Sequence, residues 1–99
     1  MTKTMTKKNM TPEQIISREA ESLVKEICTS KEAEVKRVFH VHKFPFNSFW
    51  NGMRQLYEVF RQFDVEGFQI TTRYEDIDIG TVMVTVEVTM PLVWNQKKV

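Results

Sequence analysis

Cysteine is nearly missing: Cys28 is the only one in 99 residues. A disulfide framework and a four-cysteine zinc site are both excluded, and a reducing, cytoplasmic setting fits the composition. The three glycines stand far apart, so no glycine-rich loop cradles a phosphate. With only three prolines as well, the sequence is not of low complexity. No apolar run approaches the ~20 residues that a membrane-spanning helix needs. Nor is there an excess of one charge: 14 basic side chains stand against 13 acidic ones, for a net +1. A nucleic-acid binder draws most of its affinity from phosphate neutralisation, so that role would need a local basic patch. The motifs G-x-S-x-G and H-E-x-x-H are absent, and Ser30 and Ser48 read as caps rather than as nucleophiles. The expectation is a non-catalytic protein without cofactor or resident metal.

What is present describes one small domain. Hydrophobic residues make up 41% of the chain and charged ones 27%, and a chain of this length has room for one core. Residues 1–10 show no apolar periodicity and read as a flexible basic tail. Their lysines are not followed by an apolar segment, so a secretory signal is not expected here. Residues 11–94 read as a single α+β domain, and 95–99 as a short basic tail. Charge is polarised along the chain. Residues 1–11 carry three lysines and no acid, whereas residues 67–92 carry four acids and one arginine. Such polarity can orient an encounter with a partner.

The first helix starts at Thr11, a good N-cap, with Pro12 in the first helical position and Gln14 closing a capping box. Ile16, Ala20, Leu23 and Ile27 then form one apolar stripe, and Cys28 at its end reads as a small buried hydrophobe. Residues 34–44 read as a strand with Phe39 and Val41 inward and His40 and His42 outward, since two adjacent buried imidazoles would be costly. Pro45 stops this strand, and Asn47 or Ser48 is expected to cap the second helix. Phe49, Met53, Leu56, Phe60 and Phe63 give that helix the bulkiest stripe, flanked by Trp50 and Tyr57. Gly52 within it costs roughly 1 kcal/mol against alanine, which points to a backbone passing close by.

Gly67 supplies turn chemistry before a strand with Phe68, Ile70, Thr72 and Tyr74 on its inner face. Glu75–Gly80 reads as a hairpin connection. The last strand alternates cleanly, with Val82, Val84, Val86, Val88 and Met90 inside. The resulting order is α-β-α-β-β: two helices on one face of a three-stranded sheet that ends in a β-hairpin. The strand–helix–strand–strand order resembles part of a ferredoxin-like fold, an analogy of topology that carries no activity. So small a sheet has open edges, which partners commonly cover, and a homodimer is the expected state.

The side chains that could carry chemistry are few. His40 and His42 share a strand face and could present two imidazoles to a metal, but no third ligand is identifiable and Lys36 and Arg73 share that face. Glu75, Asp76 and Asp78 lack the spacing of a calcium loop and suit turn chemistry. Eleven aromatic residues are a large load for this fold, and Phe46, Trp50 and Trp94 are candidates for exposed anchors. The functional expectation is a regulatory, accessory or inhibitor protein acting through protein–protein association, of a kind common among small phage proteins. Its partner-binding residues are Phe46, Trp50, His40, His42 and Arg73. The alternative is a nucleic-acid-binding regulator that uses Lys7, Lys8, Lys36, Arg37 and Lys43 on phosphates.

Overall fold

A computed structural model describes residues 10–64 and 66–91. Helix α1 (Pro12–Thr29) is followed by strand β1 (Glu34–His42), helix α2 (Phe46–Asp64), and strands β2 (Gln69–Asp78) and β3 (Thr81–Thr89). The start of α1 follows from its sequence. The Thr11 hydroxyl accepts from the Gln14 N–H at 3.2 Å, and the Gln14 side chain accepts from the Thr11 N–H at 2.9 Å. Both members of the capping box are thus in place ahead of Pro12.

The start of α2 differs from expectation. The first turn closes on the Pro45 carbonyl, which accepts from the Phe49 N–H at 3.1 Å, so Asn47 and Ser48 lie inside the helix. The Ser48 hydroxyl instead accepts from the Glu13 N–H of α1 at 3.1 Å. It thereby satisfies one of the orphan donors at a neighbouring helix's N-terminus. Gln55 continues this seam, accepting from the Ser17 hydroxyl and donating to Glu13, each at 2.8 Å. Between them lies Gly52. A Cβ there would stand 2.8 Å from Ile16 Cδ1 and 3.1 Å from Glu13 Cα. The close backbone approach read from the sequence is this crossing of α1 over α2.

The sheet order is β1-β3-β2, and both pairings are antiparallel. β1 and β2 therefore run in the same direction without touching, and β3 is inserted between them. This is the split form of a β-α-β unit. The order of pairing follows from burial. β3 has the most apolar inner face, and Val82, Val84, Val86 and Val88 are all at most 1% exposed. A strand so apolar belongs in the middle, where both edges and one face are covered. Its inner face meets Leu23 and Ile27 of α1 and Phe49, Met53, Leu56 and Phe60 of α2 in one core.

Three further details depart from the sequence reading. The hairpin connection is shorter: β2 runs on to Asp78, and the turn is Ile79-Gly80, with Gly80 at φ +83°. Asp78 accepts from the Ile79 N–H at 2.6 Å, as an aspartate in a turn commonly does. The register slips between Asp76 and Asp78, so the strand bulges there. Cys28 is exposed, because Ile27 already occupies the inward position and the next residue is turned ~100° away. Tyr74, expected inside with Phe68 and Ile70, is 45% exposed. Its strand lies at the sheet edge, where helix cover runs out.

Candidate protein-binding surface

Two surfaces carry the residues singled out from the sequence, and they lie on opposite faces of the sheet. On the helix side, the first two turns of α2 hold an aromatic cluster. Phe46 meets Trp50 edge-on with ring centres 5.8 Å apart, and Trp50 meets Phe49 at 5.1 Å. Tyr74 of β2 closes the cluster, 5.3 Å from Trp50 and 6.2 Å from Phe49. All four contacts are T-shaped, the geometry that places a positive ring edge on a negative ring face. Phe49 is buried and anchors the cluster to the core, whereas Phe46 is 50% exposed and Trp50 is half-buried.

Tyr57 extends this surface. It lies two turns after Trp50 on the same flank of α2 and is 44% exposed. Its hydroxyl is held above the usual tyrosine range, first by partial burial and then by the neighbouring Tyr74. Tyr57 and Tyr74 were not among the residues picked from the sequence. The seven-residue spacing of Trp50 and Tyr57 was the available signal, because it places both on one side of a helix. Nothing in the sequence places Tyr74 beside them, since that contact depends on which strand forms the edge.

The open face is built differently. His40, His42 and Arg73 all lie there, as their strand parity predicts, and the two histidines are exposed. His40 aligns through Met83 with Glu75, and His42 through Thr81 with Asp78. Arg73 lies one row away, aligned through Thr85 with Val38. Glu87, in the next row on the central strand, sits between two cations: Lys36 at 3.9 Å and Arg73 at 3.5 Å. The face is thus a lattice of mixed charge around Thr85, Met83 and Val38. The structure therefore separates Phe46 and Trp50 from His40, His42 and Arg73, and the two groups cannot contact one flat partner surface at once.

The cations of the nucleic-acid alternative are also dispersed. Lys36 is on the open face with Glu87. Arg37 lies on the helix side, where it reaches Glu19 at 2.9 Å and Glu26 at 2.6 Å and also donates to Ser22. The hydrogen bond to Glu26, and then that to Glu19, holds the guanidinium above its usual value, while burial pulls the other way. These two carboxylates account for a charged residue on the core-facing side of β1. Lys43 stands 3.2 Å from Asp76 at the hairpin end. Each of the three is thus matched by an acid of the same chain. Lys7 and Lys8 lie outside the described residues, as do Lys3, Trp94, Lys97 and Lys98.

Among the described residues, no three His, Cys, Asp or Glu side chains come together to hold a metal, and no helix is long and apolar enough to cross a membrane. Fold and surface together define a small α+β domain with a half-exposed aromatic flank. The chain matches no family model, and no curated protein or solved structure is significantly similar to it.

Proposed function

We propose that this is a non-catalytic binding protein, of the accessory, regulatory or inhibitor kind, that acts by protein–protein association through the aromatic flank of α2 and β2. The supporting observation is the cluster of Phe46, Trp50 and Tyr74, extended by Tyr57. Aromatic side chains are enriched among residues that dominate interface energetics, particularly where they project from a rigid support. Here the support is the buried ring of Phe49. The edge-on packing restricts the rings before a partner arrives, which lowers the ordering cost of binding. His40, His42 and Arg73 form a second, polar face that remains open to solvent when the aromatic flank is occupied. The reading places the protein in the cytoplasm, where a lone exposed thiol such as Cys28 stays reduced.

The test is affinity capture from the native cell lysate, with and without nuclease, using the wild-type chain and the Phe46→Ala/Trp50→Ala variant. The expected result is a stoichiometric protein that survives nuclease and whose retention falls about tenfold or more in the variant. Trp50 also packs on Phe49, so circular dichroism checks the fold. Phe46→Ala alone removes a half-exposed ring and should move retention in the same direction. Loss of all captured protein on nuclease treatment would overturn the proposal in favour of nucleic-acid binding. Retention indifferent to Phe46 and Trp50 would remove the aromatic flank as the contact surface.

A further inference from the structure

The two edges of the sheet differ in a way that selects an occupant for one of them. Among the described residues, nothing pairs with the outer edge of β2, and every residue from Arg73 to Ile79 is exposed. The opposite edge, β1, is unpaired as well, but its helix-side side chains are packed into the core at the matching rows: Phe39 and Val41 are buried while Tyr74 and Asp76 are not. β2 thus presents an unpaired backbone edge flanked by exposed side chains on both faces. Such an edge is a template for another strand.

Resting on the association reading above, we propose that a second copy of this chain occupies this edge. The two β2 strands pair antiparallel about a two-fold axis at Tyr74, giving a six-stranded sheet with all four helices on one side. The argument is charge complementarity. Around Tyr74 the strand reads Thr72-Arg73-Tyr74-Glu75-Asp76. With the axis at Tyr74, Arg73 of each copy faces Glu75 of the other, twice by symmetry, and each Asp76 faces a threonine. An axis one residue earlier sets Arg73 against Arg73, and one residue later sets Glu75 against Glu75. Like charges directly across a strand pair are destabilising, and opposite charges stabilising. Both alternative registers are thus disfavoured by the residues that favour this one.

The side chains above and below agree. Arg73 and Glu75 both lie on the open face, so their ion pairs form there, with Glu87 still beside Arg73. Tyr74 lies on the helix side, and the axis brings it against its own copy with Trp50 behind it. The two aromatic clusters then merge across the axis. β1 does not offer the same fit. A full overlap of two β1 strands about Val38 sets Lys36 against His40 and Arg37 against Phe39, so neither cation faces an acid of the other copy. β1 could meet β2 of a neighbour, but that contact is head-to-tail and builds rings or filaments of more than two copies, whereas the β2 pairing closes at two.

Sedimentation equilibrium of the full chain through the micromolar range tests this. The wild type should weigh as a dimer. Arg73→Glu and Glu75→Arg, each at an exposed site, should separately raise the dissociation constant about tenfold or more. An equimolar mixture of the two variants should restore a dimer of near wild-type affinity, because each acid then faces a cation. A chain carrying both substitutions should do the same. A monomer throughout overturns the proposal, as does a mass that grows past two copies. A dimer indifferent to both charge reversals also overturns it. A monomeric wild type that still captures a foreign protein through Phe46 and Trp50 would end the edge pairing and leave the association reading standing. A dimer that obeys the mixing rule but captures nothing would do the reverse.

Discussion

β2 and β3 are neighbours in one sheet, similar in length and joined by a two-residue turn, yet they meet opposite environments. β3 is buried along its inner face, and even Thr85 on its outer face is 7% exposed. β2 is buried at neither face beyond Thr72. The difference lies in position. β3 is sheltered by a strand on each side and by both helices, whereas β2 has one neighbour, and α2 reaches it mainly through Trp50 and Phe49. A shared pairing ladder therefore does not make two strands equal. The inner strand is committed to the core, and the outer one leaves its side chains open to solvent.

The sharpest way to break this comparison is to truncate one aromatic residue from each environment on the same helix. Phe49 is 1% exposed in the core, and Phe46, three residues earlier, is half-exposed. Phe49→Ala should cost about 4 kcal/mol in urea unfolding, because it loses a buried ring and leaves a cavity. Phe46→Ala should cost less than about 1 kcal/mol. Equal losses would mean that the aromatic flank is structural. A smaller effect separates the cations. Arg37 is 24% exposed at its side chain and holds two carboxylates, so Arg37→Gln should lower stability by about 1 kcal/mol. Lys36 lies in a long, open ion pair, and Lys36→Gln should change stability by less than about 0.5 kcal/mol.

The smallest effect concerns Tyr57. Its folded pKa is raised above the unfolded value, so the fold favours the protonated phenol. That contribution is fully present below the unfolded value and is lost as pH rises through the folded one. Urea midpoints measured from about pH 9 to about pH 12 should therefore fall less steeply in Tyr57→Phe than in the wild type. Parallel curves would show that the Tyr57 hydroxyl is fully solvated.

Much of this fold was legible because its signals are local. The capping box at Thr11, the stripe from Ile16 to Ile27 and the alternating valines of β3 each depend on residues close together in sequence, and each formed as read. The orientation of His40 and His42 followed from strand parity and the cost of burying two imidazoles. Other readings failed where a distant contact decided. Ser48 had every property of a cap for its own helix, but Pro45 already closed that turn and the Glu13 N–H lay within reach. Tyr74 alternated with Phe68 and Ile70, but burial needs a helix overhead. Of the candidate surface, Phe46 and Trp50 were visible as aromatics at a loop and helix start. Their union with Tyr74 was not, because it joins residues far apart in the chain.

The sequence by itself determined the elements, their order, the inward faces of β1 and β3 and the close crossing at Gly52, since periodicity, capping and a missing side chain act over a few residues. Only the tertiary structure decided that β3 lies between β1 and β2, that Arg37 is held by Glu19 and Glu26, and that Tyr74 joins Trp50 at an open edge. Strand order is settled by which strand gains most from being covered on every side. That gain is a property of the assembled core and of no single segment.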